Sequence, residues 1–180
     1  MSKVIAIVAA DPNAVIGVDG AIPWHYKADF KRFKDYTMGG ILVMGRKTFE
    51  SIPPTKNNEF LPGRKVVVVS KTKAFTATSF PNVTIEPTIE RALDHRPPPS
   101  DVGPTCWICG GADIYRLAFQ LGAVDEIDFT RVPEVPLEKL GKESVRWNPM
   151  WFDRFDLVEA VPNPDDPQLV HCLYRRSSQG

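Results

Sequence analysis

Gly39-Gly-Ile-Leu-Val-Met-Gly-Arg-Lys-Thr48 is the stretch on which the fold turns. It comes close to a phosphate-cradling loop, which needs four spacer residues between two glycines, then Lys and Ser or Thr. Here Arg46 pushes Lys47 one place along, and the spacer Ile41-Leu-Val-Met44 is wholly apolar. A run like that is a buried strand, not a flexible cradle. The nucleotide-hydrolase reading therefore fails. What remains is a strand, then Gly45, then a helix start bearing Arg46, Lys47 and Thr48. Backbone N–H groups at such a start favour an anion. Cations there oppose the helix dipole, so a solvated helix end is the plainer alternative but leaves them without a reason.

Working outward, Val4–Ala10, Lys65–Val69 and residues 105–109 are further apolar runs without polar alternation. That pattern suits strands covered on both faces, as in a parallel sheet. Between them lie helical stretches at 27–36, 46–52, 88–95 and 112–121. The first carries Phe30, Phe33 and Tyr36 at three-residue spacing, and the last sets Ile114, Leu117, Ala118 and Leu121 on one stripe. Strand and helix in alternation imply a doubly wound α/β sheet. Residues 154–161 and 168–176 have mixed polarity and flank Pro162-Asn-Pro-Asp-Asp-Pro167, which reads as a closing antiparallel hairpin. Residues 133–149 read as irregular. With 180 residues, no repeat and no linker, the expectation is one domain spanning 1–180.

Composition narrows the function. Lys and Arg number 22 and Asp and Glu number 22, so the net charge is zero. Proteins that track nucleic acid or an anionic membrane usually show a basic excess, and no run reaches transmembrane length. Three cysteines make no disulfide framework. Residues three apart in a strand point to opposite faces, so Cys106 and Cys109 cannot chelate together. With only three histidines and no clustered acids, no metal site is expected. The sum is a reduced, cytoplasmic protein.

Chemistry-bearing residues gather in a few places. Asp29 and Phe33 share a helix face with Phe30, after Trp24 in an Ile22-Pro-Trp loop, while Lys27, Lys31 and Arg32 are read as facing water. An acid among aromatic rings makes a flat slot for a planar heterocycle with paired donors; the bland alternative is an acid favouring the helix dipole. Arg64 can fork onto a carboxylate. Ser70 and Lys71, at a strand's carboxyl end, can hold a phosphate monoester. Gly110-Gly111 lets backbone approach a ligand at a helix start.

Taken in order, these pieces resemble the dihydrofolate reductase family. The resemblance rests on Ile16-Gly17 with Ile22-Pro-Trp24, Asp29 with Phe33-Lys34, Met44-Gly-Arg-Lys-Thr48, Leu61-Pro-Gly-Arg64, and Gly110-Gly111 with Ile114-Tyr115. It implies a mostly parallel eight-stranded sheet with flanking helices, and hydride transfer from NADPH to C6 of 7,8-dihydrofolate, in support of one-carbon metabolism. By matched position, Asp29 would bind the pterin N3 and 2-amino group, Thr130 would support that carboxylate, and Trp24 would hold a water. Phe30, Phe33, Ile52 and Leu61 would pack the rings, with Val8 and Lys34 also at the substrate. Arg64 would take the glutamate α-carboxylate. Ile7 and Cys109 would offer carbonyls to the pterin edge, with Tyr115 beside the nicotinamide.

On the cofactor side, the resemblance implies a loop of Val15, Ile16, Gly17, Val18, Asp19, Gly20 and Ala21 closing over NADPH. Arg46, Lys47, Thr48 and the Gly110-Gly111 turn, typically cis in the family, would meet its phosphates. Ser70 and Lys71 would meet the 2′-phosphate. Ala9, Gly45, Val69, Cys109, Ala112, Asp113 and Ile114 complete that set. The chain departs from the family at Tyr26-Lys27, where Leu-Pro is usual, at Cys109, where a branched aliphatic is usual, and at Asp113, where a basic residue often helps. A monomer is implied, with no nucleic acid, membrane or metal partner. Two readings compete: a riboflavin-pathway pyrimidine reductase, which would lack the Trp24, Asp29 and Arg64 set, and a non-catalytic nucleotide-binding module.

Overall fold

The aliphatic runs lie side by side in the middle of one sheet. A computed structural model describes residues 2–72, 79–98, 103–141 and 143–178. Its strands are β1 (Val4–Ala10), β2 (Val15–Val18), β3 (Ile41–Gly45), β4 (Lys65–Val69), β5 (Val83–Glu86), β6 (Cys106–Ile108), β7 (Glu126–Arg131), β8 (Ser144–Arg146), β9 (Phe155–Pro162) and β10 (Val170–Arg176). Its α-helices are α1 (Lys27–Thr37), α2 (Arg46–Ser51), α3 (Ile89–Leu93) and α4 (Ala112–Gln120). Eight strands form one sheet in the order β5-β4-β3-β6-β1-β7-β10-β9. Pairing is parallel from β5 through β7, and β10 is antiparallel to both β7 and β9. The mostly parallel eight-stranded sheet and the closing hairpin are as expected.

Strand alternation divides the core. Val4, Ala6, Val8, Val43, Val67 and Ile108 point to the face that Ile89 of α3 and Ile114 and Ala118 of α4 cover. Ile5, Ile7, Leu42, Met44, Val66, Val68 and Trp107 point to the other face, against Phe33 of α1 and Phe49 of α2. Thr88 starts α3 by accepting the Arg91 N–H at its side chain. Among the described residues, no helix is long and apolar enough to cross a membrane.

Two expectations need correction. Residues 133–149 are not merely irregular: β8 lies within them and pairs antiparallel with β2. Equally, Val15 to Ala21 is not only a loop. It is a strand followed by a tight turn, in which Val18 and Ala21 exchange backbone hydrogen bonds of 2.8 and 3.0 Å. Asp19 and Gly20 take φ of 48° and 81° there, the left-handed pair that a two-residue hairpin turn demands. Three mostly exposed residues give β8 no periodic signal. β5 went unread for a similar reason, being four half-buried residues at a sheet edge.

Candidate active site

The sheet has a switch point at β6. From β1 and β3 the chain runs to α1 and α2 on one face, whereas from β6 it runs to α4 on the other. Ligand crevices in open α/β sheets form at the carboxyl ends of strands where the winding reverses. The pairing opens accordingly. β1 and β6 stay in register only from Val4 to Ala6, while β1 follows β7 as far as Ala10.

Asp29 stands in the first turn of α1, half-buried, on the side of the helix that meets β7. Burial raises its pKa above the usual carboxylate value; Arg32 and the hydrogen-bonding Thr130 hydroxyl oppose the rise, and Asp128 adds to it. Arg32 does not face water as expected. It makes a two-pronged pair with Asp128 at 2.7 and 2.8 Å, because residues three apart on a helix share a face. Phe33 packs into the core beneath the slot, with Ile52 and Leu61. Phe30 is 40% exposed and lies against His25 at 5.1 Å, so it stands at the rim of the slot and not in the core with Phe33. Lys34 is exposed. Trp24 is half-buried, and its indole Nε1 is buried without a hydrogen-bond partner. An orphaned buried donor calls for a water or a ligand atom.

Arg64 is buried at the start-side of β4, next to the Leu61-Pro62-Gly63 turn. Its guanidinium donates to the Leu61 and Pro62 carbonyls at 3.0–3.3 Å and to the Thr37 hydroxyl at 3.3 Å. All of these acceptors are neutral, and burial lowers its pKa. Across the sheet, the Tyr115 hydroxyl donates to the Ile7 carbonyl at 2.6 Å. The two residues expected to serve different ligand parts are thus tied together. A carbonyl has two lone pairs, so Ile7 keeps one for a ligand. Cys109 packs on the opposite face from Cys106; burial pushes both thiols up, that of Cys106 to about 12.

Beyond Tyr115, the starts of α2 and α4 meet. The Gly45 N–H donates to the Gly110 carbonyl at 2.8 Å, and a Cβ on Gly45 would stand 3.1 Å from Ile114. The Gly110-Gly111 peptide is cis. Gly110 has φ of 99°, and a Cβ there would meet the Tyr115 ring at 3.1–3.3 Å. Gly110→Ala is therefore expected to cost about 1–3 kcal/mol of stability, read as a lower urea midpoint at unchanged slope.

A family model for dihydrofolate reductase matches residues 3–141. The chain belongs to the dihydrofolate reductase family. It is 36% identical over 131 residues to a dihydrofolate reductase of Mycobacterium leprae, covering 71% of this chain and 74% of that one. It is 35% identical over 133 residues to one of Neisseria gonorrhoeae, covering 72% and 75%. In fold it is similar to the solved dihydrofolate reductase of Enterococcus faecalis complexed with NADP(H) and RAB-propyl, at TM-score 0.75 and 24% identity over 97% of this chain and 96% of that one.

Most of the dihydrofolate reductase positions expected to meet the cofactor fall into three groups. Gly45, Arg46, Lys47, Thr48, Gly110, Gly111, Ala112 and Ile114 do come together at the two helix starts, where a Cβ on Gly111 would lie 3.6 Å from the Thr48 hydroxyl. Arg46 also pairs with Glu50 at 2.8 Å. Val69, Ser70 and Lys71 follow at the carboxyl end of β4, with the Ser70 hydroxyl bonded to the Thr72 backbone. In the β2 hairpin, Val15 and Val18 turn inward to a small core with Val135, while Ile16 and Gly17 are half-buried and Gly20 and Ala21 are exposed. The Asp19 carboxylate accepts the Glu143 N–H at 3.1 Å. Asp113 is exposed and pairs with Arg116. Ala9 is half-buried on β1 and paired with Thr130, while Val8 is buried toward α4.

Sequence reading missed Asp128 and His171. The first is legible afterwards as part of the polar alternation Glu126, Asp128, Thr130, all buried on one face of β7. His171 gave no signal, since its partners lie on other strands.

Proposed function

We propose that the chain reduces 7,8-dihydrofolate to 5,6,7,8-tetrahydrofolate with NADPH, as a single-domain cytoplasmic monomer supporting one-carbon metabolism. The observation that carries this is Asp29: a half-buried acid, raised in pKa, over a core of aromatic and aliphatic side chains at the sheet's switch point. Family membership supports the substrate and the cofactor. The residues fit NADPH. The meeting of Gly45 with Gly110 and Gly111 leaves backbone open to a ligand, and Arg46, Lys47 and Thr48 supply cations and a hydroxyl for phosphates. Ser70 and Lys71 suit the 2′-phosphate. Bound NADPH supplies the hydride for C6.

The chain's own residues do the rest. Ionised Asp29 accepts from N3–H and the 2-amino group of the pterin, and the Thr130 hydroxyl steadies it. Phe30, Phe33, Ile52 and Leu61 pack the rings and exclude water. Arg64, whose protein acceptors are all neutral, takes the glutamate α-carboxylate. The N5 proton comes from water, because an acid bound at N3 cannot reach N5; the unpartnered Trp24 Nε1 suits a site for ordered water. Pocket and crevice together supply proximity and a dry site.

A single cuvette tests the reading. NADPH absorbance should fall when dihydrofolate is added and stay flat with a ribityl pyrimidine. A flat trace with dihydrofolate, despite NADPH binding, would favour the non-catalytic module. Light scattering should return a mass near 20.1 kDa; twice that would overturn the monomer.

A further inference from the structure

Behind Thr130, whose hydroxyl favours the ionised form of Asp29, runs a chain of hydrogen bonds that the proposed chemistry does not yet use. His171 on β10 lies opposite Thr130 on β7, so their side chains share a face of the sheet. The His171 Nδ1 is 2.8 Å from the Thr130 hydroxyl, and its Nε2 is 2.8 Å from the Asn163 Nδ2. Asn163 is buried in the turn between β9 and β10. Its Oδ1 accepts the backbone N–H groups of Asp165 and Asp166 at 2.8 and 3.3 Å.

Those contacts select one tautomer of the His171 ring. An amide oxygen that accepts two backbone N–H groups fixes the amide's orientation, so the Asn163 NH₂ must face His171. The His171 Nε2 then has to be the bare lone pair. A neutral imidazole has one N–H, which must be on Nδ1, and it points at the Thr130 oxygen. With its oxygen accepting from His171, the Thr130 hydroxyl turns its own hydrogen elsewhere, and Asp29 is the carboxylate it acts on.

We propose that His171 is a positioning residue: Asn163 holds it in the Nδ1–H tautomer, and it aims the Thr130 hydroxyl at Asp29, favouring the ionised carboxylate that grips the pterin. The inference rests on the reading of Asp29 as substrate anchor. The surroundings keep the ring neutral. Arg32 from α1 and Asp128 from β7 stand near it, paired to each other, and Lys31, Asp35, Glu159 and Asp165 line the open hollow beside it. Burial, with the Arg32 charge, holds His171 down to about 4 despite Asp128. Since this folded-state value lies below the unfolded one, neutral His171 is stabilising at neutral pH. That contribution is lost as pH falls from the unfolded pKa toward the folded one.

The test reads ligand-free protein first. Nitrogen-15 spectra near neutral pH should show the His171 ring protonated at Nδ1; an Nε2–H ring would overturn the proposal. Carbon-13 titration of the Asp29 carboxyl should then compare His171→Phe and His171→Asn with the wild type. Loss of the donor in the Phe variant should raise the Asp29 pKa by about one unit. The Asn variant, whose amide nitrogen stands near the place of Nδ1, should restore most of it. Binding of a 2,4-diaminopteridine should follow the same order. An Asp29 titration unmoved in His171→Phe, with only a lower melting temperature, would make His171 a mere stitch between β7 and β10 and overturn the proposal. If the Phe variant does not fold, the wild-type tautomer and the Asn variant still decide. Failure of the anchor reading shows separately, as an Asp29→Asn variant with undiminished dihydrofolate turnover.

Discussion

Asp29→Asn should cut dihydrofolate turnover by at least about 100-fold near neutral pH, with the deficit narrowing in acid. The variant keeps the size of the side chain but loses the charge that accepts from N3 and the 2-amino group. In acid the substrate arrives already protonated, so less is asked of the carboxylate. The same substitution should raise the melting temperature near neutral pH. Burial is the largest influence on Asp29 and raises its folded-state pKa above the usual value of 3.8. Between those two values the native state binds more protons than the unfolded one, so stability falls as pH rises through that window. The deficit is fully present above the folded pKa, and a neutral Asn removes it. Turnover lost and stability gained together mark a site that keeps a costly group for its function. A lower melting temperature would show that the Arg32 and Thr130 interactions outweigh burial.

Arg64→Leu should raise the KM for dihydrofolate by about 30-fold or more while leaving kcat within a few-fold. The guanidinium is buried and its acceptors are neutral, so it is a charge awaiting a counter-charge. A carboxylate held far from C6 contributes equally to ground and transition states, which moves KM and not kcat. A pteridine lacking the glutamate tail should bind the variant and the wild type alike. Stability should change little, because the lost hydrogen bonds are offset by removal of an unpaired buried charge. An equal loss of affinity for the tail-less pteridine would mean that Arg64 shapes the slot and does not read the tail.

The parts of this molecule that the sequence announces are those whose physics is local. Lys65–Val69 reads as a central strand because a covered strand needs no polar alternation, and its bounds match those observed. Thr88 ahead of a short helix, the Gly110-Gly111 turn and the proline-rich break before β10 are likewise local signals. What stays hidden depends on partners far along the chain. Arg32 looks like a solvated cation until Asp128, 96 residues away, is brought beneath it. His171 meets Thr130 across 41 residues, through a cross-strand register that no single-strand pattern encodes. β2 and β8 are similarly invisible, since each is short and only their pairing makes either a strand. Phe30 and Phe33 share one helical spacing, yet only Phe33 reaches the core, while Phe30 stands at the rim against His25.

The central claim is that a bound pterin is held at Asp29 while NADPH reduces it. Single-turnover transfer from NADPH deuterated at the reactive C4 position tests this most directly, with product deuterium located by mass spectrometry in wild type and Asp29→Asn. The expected result is deuterium at C6 of tetrahydrofolate, appearing at least about 100-fold more slowly in the Asn variant near neutral pH. Deuterium absent from C6, or present at the same rate in both proteins, would contradict the account.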